Sequence, residues 1–443
     1  MPLSGLDIYK LLPKTNCRKC GFATCLAFAM QLAKKALSID KCPYIAEESR
    51  KTLEEASLPP IKLVTIGAGG SSFEIGNETV MFRHEEKFHH PCGIGIIIED
   101  TLTDTQIKFR LEKISSLRFE RVGQKLDINL IAVRQNSDKK RFVEAVKLIS
   151  SHTLLALALM SNDEGSLREA LEITKDKKPL IYSATRENIG WISKLALEYK
   201  ALLVVSGPDL ESIPILTDEL YKQGVSELVI EPQGQGLAEK IWVLTQARRQ
   251  ALKKSNRSLG YPILTVIDKD DFYDEAIEAA TYILKYAQII LIKGSEVWQA
   301  LSFLALRQNI YTDPQKPLQI EPNLYAVGSV NDNSPVLVTT NFSLTYHTVL
   351  SEVEASKVPS YIASINTDGM SVLTAWAAEK FTPERITDSI NKFALKDVVS
   401  HNRLIIPGYV AVISGDLEEK SGWQVVVGPK EAAGIPAFLK NLV

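Results

Sequence analysis

From Gly93 to Arg307, short apolar runs recur with amphipathic stretches between them. The runs are Gly93–Glu99, Ile128–Val133, Leu154–Met160, Leu180–Ser183, Leu202–Ser206, Leu228–Glu231, Ile263–Val266 and Ile289–Ile292. They are continuous rather than alternating, as strands buried on both faces must be. Between them, stretches such as Lys139–Ser150, Ser166–Lys175, Leu210–Gln223, Leu237–Lys253 and Asp271–Ala287 carry apolar residues at helical spacing, and Glu296–Arg307 follows the last run. Eight strands interleaved with helices over about 220 residues predict a (β/α)8 TIM barrel at 93–312.

The rhythm breaks at 313–330, where Pro314, Pro317 and Pro322 predict a linker. It resumes at 331–443 with strands at Pro335–Thr339, Tyr361–Ile365, Leu404–Ile406, Val410–Ile413 and Gln424–Val427. Helices are expected at Leu344–Ala355, Met370–Lys380, Pro383–Phe393 and Pro436–Leu442. This predicts a doubly wound, Rossmann-like α/β domain whose ligand crevice lies at the strand carboxyl ends. Two strands run into hydroxyl-rich loops, Thr339 to Tyr346 and Asn366 to Thr374. Helix capping explains each loop alone; together, on consecutive strands, they favour a ligand site. No Walker loop or G-x-G-x-x-G is present, which argues against nucleotides.

Residues 1–57 differ from the rest. Four of the five cysteines lie here, as Cys17, Cys20, Cys25 and Cys42, with Pro43 after the last. A helix at Ala23–Leu37, capped by Thr24, would set Cys25 on its first turn, where unpaired N–H groups favour anionic sulfur. Gly21 leaves room for a bulky group. A disulfide framework is disfavoured in a chain without a secretory signal. Structural zinc usually takes two separated C-x2-C knuckles, and one is present. Three close ligands plus one distant cysteine-proline suit a [4Fe–4S] cluster better, with zinc the alternative. Lys and Arg outnumber Asp and Glu here, offsetting thiolate charge, and Arg18 and Lys19 could tune such a cluster or be plain surface charge.

A joint segment, 58–92, holds the loop Gly67 to Ser72, and Gly76-Asn77 reads as a hairpin turn. His84, His89, His90 and Cys92 match no standard ligand spacing and read as a solvated loop. Strand ends of the barrel carry Glu99, Asp100, Arg134, Ser161, Asn162, Asp163, Thr185, Arg186, Ser206, Glu231, Asp268 and Lys293. That rim shows no acid/base pair, triad or metal set, so it reads as a docking surface.

With 45% hydrophobic and 23% charged residues the composition is ordinary for a globular protein, and a net charge of −2 gives no reason to expect nucleic acid or an anionic membrane as partner. The amino terminus lacks a signal core and the longest apolar run is too short to span a bilayer, so a cytoplasmic protein is expected.

The opening M-P-L-S-G-L-D-I-Y-K-L-L-P-K-T-N-C-x-x-C-G-x-x-x-C-L-A-F-A-M, the stretch T-D-G-M-S-V-L-T-A-W-A-A and the tail G-P-K-E-A-A-G-I-P carry a resemblance over essentially the full length. The chain resembles the large (gamma) subunit of the corrinoid iron–sulfur protein of the reductive acetyl-CoA pathway. The resemblance implies a methyl-group carrier rather than a stand-alone enzyme. A cob(I)amide would take a methyl group from methyltetrahydrofolate through a separate methyltransferase and pass it to acetyl-CoA synthase. The implied partners are a small barrel subunit, that methyltransferase, the synthase and an electron donor such as ferredoxin. By position, Cys17, Cys20, Cys25 and Cys42 would hold the [4Fe–4S] cluster. Thr340, Tyr346, Met370, Ser371, Val372, Leu373 and Thr374 would cradle the corrinoid, with Gly434 and Ile435 close to it. No D-x-H-x-x-G motif exists, and His347 and His401 lack its flanking residues, so a base-off corrinoid without a protein imidazole is implied. Without that donor the cobalt is easier to reduce, and a cluster in the same chain would be the electron source that reactivates it. Two other classes stay open: a pterin-dependent methyltransferase using its own barrel, and a plain iron–sulfur electron carrier.

Overall fold

Thr24 Oγ1 accepts the Ala27 N–H at 3.1 Å and starts the helix Cys25–Ala33. In this computed structural model, which describes residues 4–33, 37–50, 53 and 59–442, that helix packs against Gly5–Leu11. The remainder of the helix expected to reach Leu37 falls on 34–36, outside the described residues, as does the expected boundary at 57–58. Ile8, Leu12, Cys25, Phe28, Ala29, Cys42 and Leu53 form the small core of this module.

Next come β1 (Val64–Ile66) and β2 (Phe73–Ile75), an antiparallel hairpin turned by the glycine-serine loop. The expected turn at Gly76-Asn77 is therefore corrected. These residues adopt left-handed φ values of 92° and 55° after β2 has ended, and no strand follows them. Left-handed backbone at Gly-Asn is shared by hairpin turns and strand exits, so the dipeptide alone does not fix which one forms.

The barrel uses β3 (Gly93–Glu99), β6 (Leu130–Arg134), β7 (Ala156–Met160), β8 (Leu180–Ala184), β9 (Leu202–Gly207), β10 (Leu228–Pro232), β11 (Leu264–Val266) and β12 (Ile289–Ile292). A second hairpin, β4 (Arg118–Arg121) and β5 (Gln124–Asp127), lies between β3 and β6. Each barrel strand pairs in parallel with its chain neighbour, and β12 returns to β3. Between β10 and β11 the closure narrows to a bridge in which Ile230 donates to Pro262 O at 2.9 Å. Outward residues such as Ile96, Val133 and Leu159 pack on helix residues Phe142, Val146 and Leu167. Inward residues such as Ile97, Ala132, Val204 and Leu291 form a second core, joined by Val64, Ile66 and Ile75 of the first hairpin. That hairpin stoppers the amino end of the barrel. The segment read as a solvated loop is half buried, because Glu78 accepts the His89 and His90 N–H groups and pairs with buried Arg248. Cys92 is fully buried.

The chain divides into two packed units, and the second comprises Thr312–Val443 together with Glu120–Lys125, the tip of the β4–β5 hairpin. Within it, Ser343 Oγ donates to Val122 O at 3.4 Å. Its strands are β13 (Leu324–Val327), β14 (Val336–Thr340), β15 (Ser360–Ile365), β16 (Arg403–Ile406) and β17 (Gln424–Val427), in the order β13-β15-β14-β16-β17. All but β13 run parallel. Helices Ser343–Ser356 and Ile435–Leu442 cover one face and Pro383–Lys392 and Ser414–Ser421 the other.

Two expectations are corrected here. The linker 313–330 contains β13, a half-exposed edge strand whose four residues are hidden among prolines. Val410–Ile413 is no strand but part of a 3-10 turn, Gly408–Ile413. Val410 and Ile413, three residues apart, are both buried while Val412 is exposed, which is the one-sided spacing of that helix. Among the described residues no helix is long and apolar enough to cross a membrane.

Candidate functional site

In the cysteine module the chain winds through left-handed φ values at Lys14, Asn16, Arg18 and Gly21. Asn16 Oδ1 accepts the Cys25 N–H at 2.8 Å and ties this loop to the helix start. Cys17 is exposed, Cys20 half buried, and Cys25 and Cys42 are buried in one apolar cluster. The Lys19 N–H and the Thr15 hydroxyl stabilise the Cys17 thiolate and hold its pKa below the ordinary value. Among the described residues no three His, Cys, Asp or Glu side chains converge into a ready metal group. The donor chemistry still fits a cluster. Four thiols belong to one small module, and a Cβ at Gly21 would meet nothing within 4 Å, which leaves open space beside the loop. Ligands draw together as the metal binds, because binding and local folding are coupled.

The second site lies at the carboxyl ends of the second unit's sheet. The four parallel strands run in the order β15-β14-β16-β17, so successive connections leave β14 in opposite directions. Ligands bind at such switch points. Here β14 and β16 pair only at Leu337 and Ile405 and then part. A cavity of about 120 Å³ opens between them. Thr339 lines it, and Ser364 is its register partner on β15. Both hydroxyls are buried and lack a hydrogen-bond partner, as does that of Thr340. A buried hydroxyl left unmatched costs about 1–3 kcal/mol, so the one that lines the cavity, Thr339, signals a polar ligand edge.

The expected site residues distribute unevenly. Val372 and Ile435 line the cavity. Ser371 and Thr374 share a 3.0 Å hydrogen bond across the start of Val372–Ala377, a helix shorter than expected, and Leu373 is exposed on it. Met370 is half buried and its carbonyl accepts from Thr367 Oγ1 at 3.1 Å. Gly434 packs on Pro429. Thr340 points to the opposite face from Thr339. Tyr346 lies in the core against Tyr325, ring centroids 5.0 Å apart, and burial pushes its phenol up to about 12; its neighbours Thr345 and Val349 line the cavity instead. Asn341 was missed. Its Oδ1 accepts from Thr367 N at 2.9 Å, Thr367 Oγ1 at 3.1 Å and Gly369 N at 3.1 Å, which holds the second loop in place. The signal was an asparagine set directly at a strand end among hydroxyls.

The barrel rim is saturated with its own contacts. Arg134 pairs with Asp268 at 2.7 Å and approaches Glu99 at 3.8 Å, and Lys293 pairs with Asp268. Asp163 caps the following helix through Ser166 N at 2.7 Å. Charge changes at Asp163, Arg186 and Asp268 are expected to alter partner affinity or have no effect, leaving the chemical step intact. Single-turnover transfer at saturating partner tests this, and a rate loss beyond about 10²-fold would contradict it.

Glu231 lies inside the barrel, 1% exposed, and accepts from Tyr182 Oη at 2.7 Å, Ser206 Oγ at 3.1 Å and Val266 N at 3.3 Å. Burial pushes its carboxyl above the ordinary 4.5, although the Lys240 ammonium opposes the shift. A raised folded value means the neutral acid stabilises the barrel fully below the unfolded pKa, and that contribution is lost as pH rises through the folded one. Between about pH 5 and 8 the melting temperature of the unaltered protein should therefore fall more than that of Glu231→Gln. Parallel falls would remove Glu231 as the cause.

A family profile described as CO dehydrogenase/acetyl-CoA synthase delta subunit matches residues 63–439, and an Fe-S cluster profile matches residues 12–44. The corrinoid/iron-sulfur protein large subunit of Moorella thermoacetica is 45% identical over 99% of both chains. The chain belongs to this family. The gamma subunit of the acetyl-CoA decarbonylase/synthase complex of Methanothermobacter thermautotrophicus is 36% identical over 100% of this chain and 99% of its own. The Fe-S match spans all four clustered cysteines, while the larger match spans the barrel and most of the second unit of this large-subunit family member. A solved dihydropteroate synthase from Thermus thermophilus, at TM-score 0.39 and 13% identity over 50% of this chain and 95% of that one, is too distant to bear on either site.

Proposed function

We propose that this chain is the methyl-carrying subunit of a corrinoid iron–sulfur protein. In this reading residues 1–57 form the cluster module, 93–312 a docking barrel and 331–443 the corrinoid holder. The observation that carries it is the unmatched buried hydroxyl of Thr339 at a switch-point cavity, in a chain that also bears a four-cysteine module. When bound, the corrinoid supplies the metal that accepts and gives up the methyl group, and the [4Fe–4S] cluster supplies the low-potential electron that restores it after oxidation.

The chain's own residues supply the positioning. Thr339 offers its hydroxyl to the carboxamide edge of a corrin. Asn341 fixes the loop Thr367–Gly369. A cavity of about 120 Å³ admits only part of so large a ligand. Leu373, Trp376, Tyr409 and Val412 stand exposed on the two short helices beside it and give the macrocycle an apolar seat. Neither His347 nor His401 lines the cavity, and His401 Nε2 contacts Ser334 O before β14, at the other end of the strand. The proposed corrinoid is base-off, without an imidazole from this chain. Cys17, Cys20, Cys25 and Cys42 would hold the cluster, and the Lys19 N–H would stabilise its sulfur.

The proposed partners are a small subunit, a methyl-pterin methyltransferase, acetyl-CoA synthase and a ferredoxin-like donor, all met in the reducing cytoplasm that a thiolate-held cluster needs. Metal analysis of the chain purified with its small subunit tests the reading. About four iron atoms, one cubane, and one cobalt per pair are expected. Iron without cobalt would replace it with an electron-transfer protein.

A further inference from the structure

The cavity between β14 and β16 is lined almost wholly by uncharged groups, and the one exception is Lys430. Its position is fixed by the backbone. After β17, Gly428 N donates to Ile406 O at 2.9 Å, and Gly408 N donates to Pro429 O at 3.1 Å. A Cβ at Gly408 would come within 2.5 Å of Gly428 O and 2.8 Å of Lys430 N, so the two turns lie against each other and cannot slide apart. Among the described residues the Lys430 ammonium has no hydrogen bond or ion pair. The adjacent Glu431 accepts from the Tyr409 hydroxyl and forms no ion pair with Lys430. As the one charged group lining a cavity whose interior holds the unmatched Thr339 hydroxyl, exposed Lys430 suits an anionic group at the outer edge of a ligand.

A corrinoid carries neutral carboxamides around its ring and a single anion, the phosphodiester of its nucleotide loop. We infer that Lys430 binds this phosphodiester, so that the chain distinguishes complete corrinoids from precursors that lack the loop. The inference rests on the corrinoid reading above and adds to it a residue that selects the form of the ligand. Lysine acts here as a point charge, and its exposure limits its worth to a few-fold in affinity.

The test is equilibrium binding of cob(II)alamin and of cob(II)inamide, which lacks the phosphodiester, to the corrinoid-stripped complex of the chain with its small subunit. Tryptophan quenching reads the binding without any turnover. Lys430→Gln should weaken cobalamin binding about three- to tenfold, reduce its dependence on salt and leave cobinamide binding unchanged. Lys430→Arg should restore cobalamin affinity, since the charge is kept. Equal weakening of both corrinoids by Lys430→Gln, or no change for cobalamin, would overturn the role of Lys430 while leaving the corrinoid site standing. Failure of the unaltered complex to bind either corrinoid would overturn both.

Discussion

Cys20→Ala or Cys42→Ala removes the iron–sulfur absorption of the purified chain while the barrel keeps its circular dichroism and cooperative melting. The two cysteines belong to a core of few residues, and Cys42 is buried there beside Cys25, Phe28 and Leu53. So small a core draws much of its stability from the metal it binds. The barrel has two large cores of its own that share no residue with the module. Cobalt should remain bound in both variants, but recovery from oxidation should be lost, which separates cluster from corrinoid. Cys92→Ala is the control. Cys92 is fully buried in the barrel core, and desolvation pushes its thiol up to about 12, so it is a poor metal ligand. Iron analysis decides: normal iron in Cys20→Ala and Cys42→Ala, or iron lost in Cys92→Ala, would mean the ligands are misassigned.

Asn341→Ala is expected to weaken corrinoid binding by about 10- to 100-fold. One carboxamide oxygen receives three hydrogen bonds from Thr367 and Gly369, and its Nδ2 donates to Gln319 Oε1 at 3.2 Å. Removal strands two backbone N–H groups, each worth about 1–3 kcal/mol when buried and unmatched, while the Thr367 hydroxyl keeps the Met370 carbonyl as its acceptor. Asp368 and Gly369 hold φ values of 56° and 73°, and a loop in that conformation relaxes once its anchor goes. Asn341→Asp keeps the acceptor and should recover part of the affinity. Melting of the second unit should drop in Asn341→Ala as well. A corrinoid affinity equal to that of the unaltered protein would show that the loop does not shape the site.

The barrel was readable because its strands are buried on both faces, and a run such as Ile94 to Ile98 has no competing explanation. The same property hid the finer detail of the site. Where both faces are apolar there is no period-two signal, so nothing in the sequence says which of Thr339 and Thr340 looks into the crevice. The structure turns Thr339 toward it. The position of Tyr346 is hidden for a related reason: on Ser343–Ser356 one residue's shift separates a core position from a cavity position, and Thr345 is the one that lines the cavity. The strands β4 and β5, R-F-E-R and Q-K-L-D, carry too few apolar residues to register as strands at all. Asn341 shows the converse case, in which the residue type was conspicuous but its three partners are set by the fold.

The grouping of Glu120–Lys125 with the carboxyl-terminal unit bears on how such a protein can be rebuilt by recombination. Gly123 lies so close to His347 that a Cβ there would come within 2.7 Å of Nε2, and Val122 takes the hydrogen bond from Ser343. A gene segment encoding 312–443 alone is therefore no self-sufficient cassette: transplanted into another chain, it would arrive without the strip that covers the start of Ser343–Ser356. Lineages that shuffle ligand-binding modules freely need boundaries that coincide in sequence and in space, and here they do not. The barrel and the carboxyl-terminal unit are bound to be inherited together.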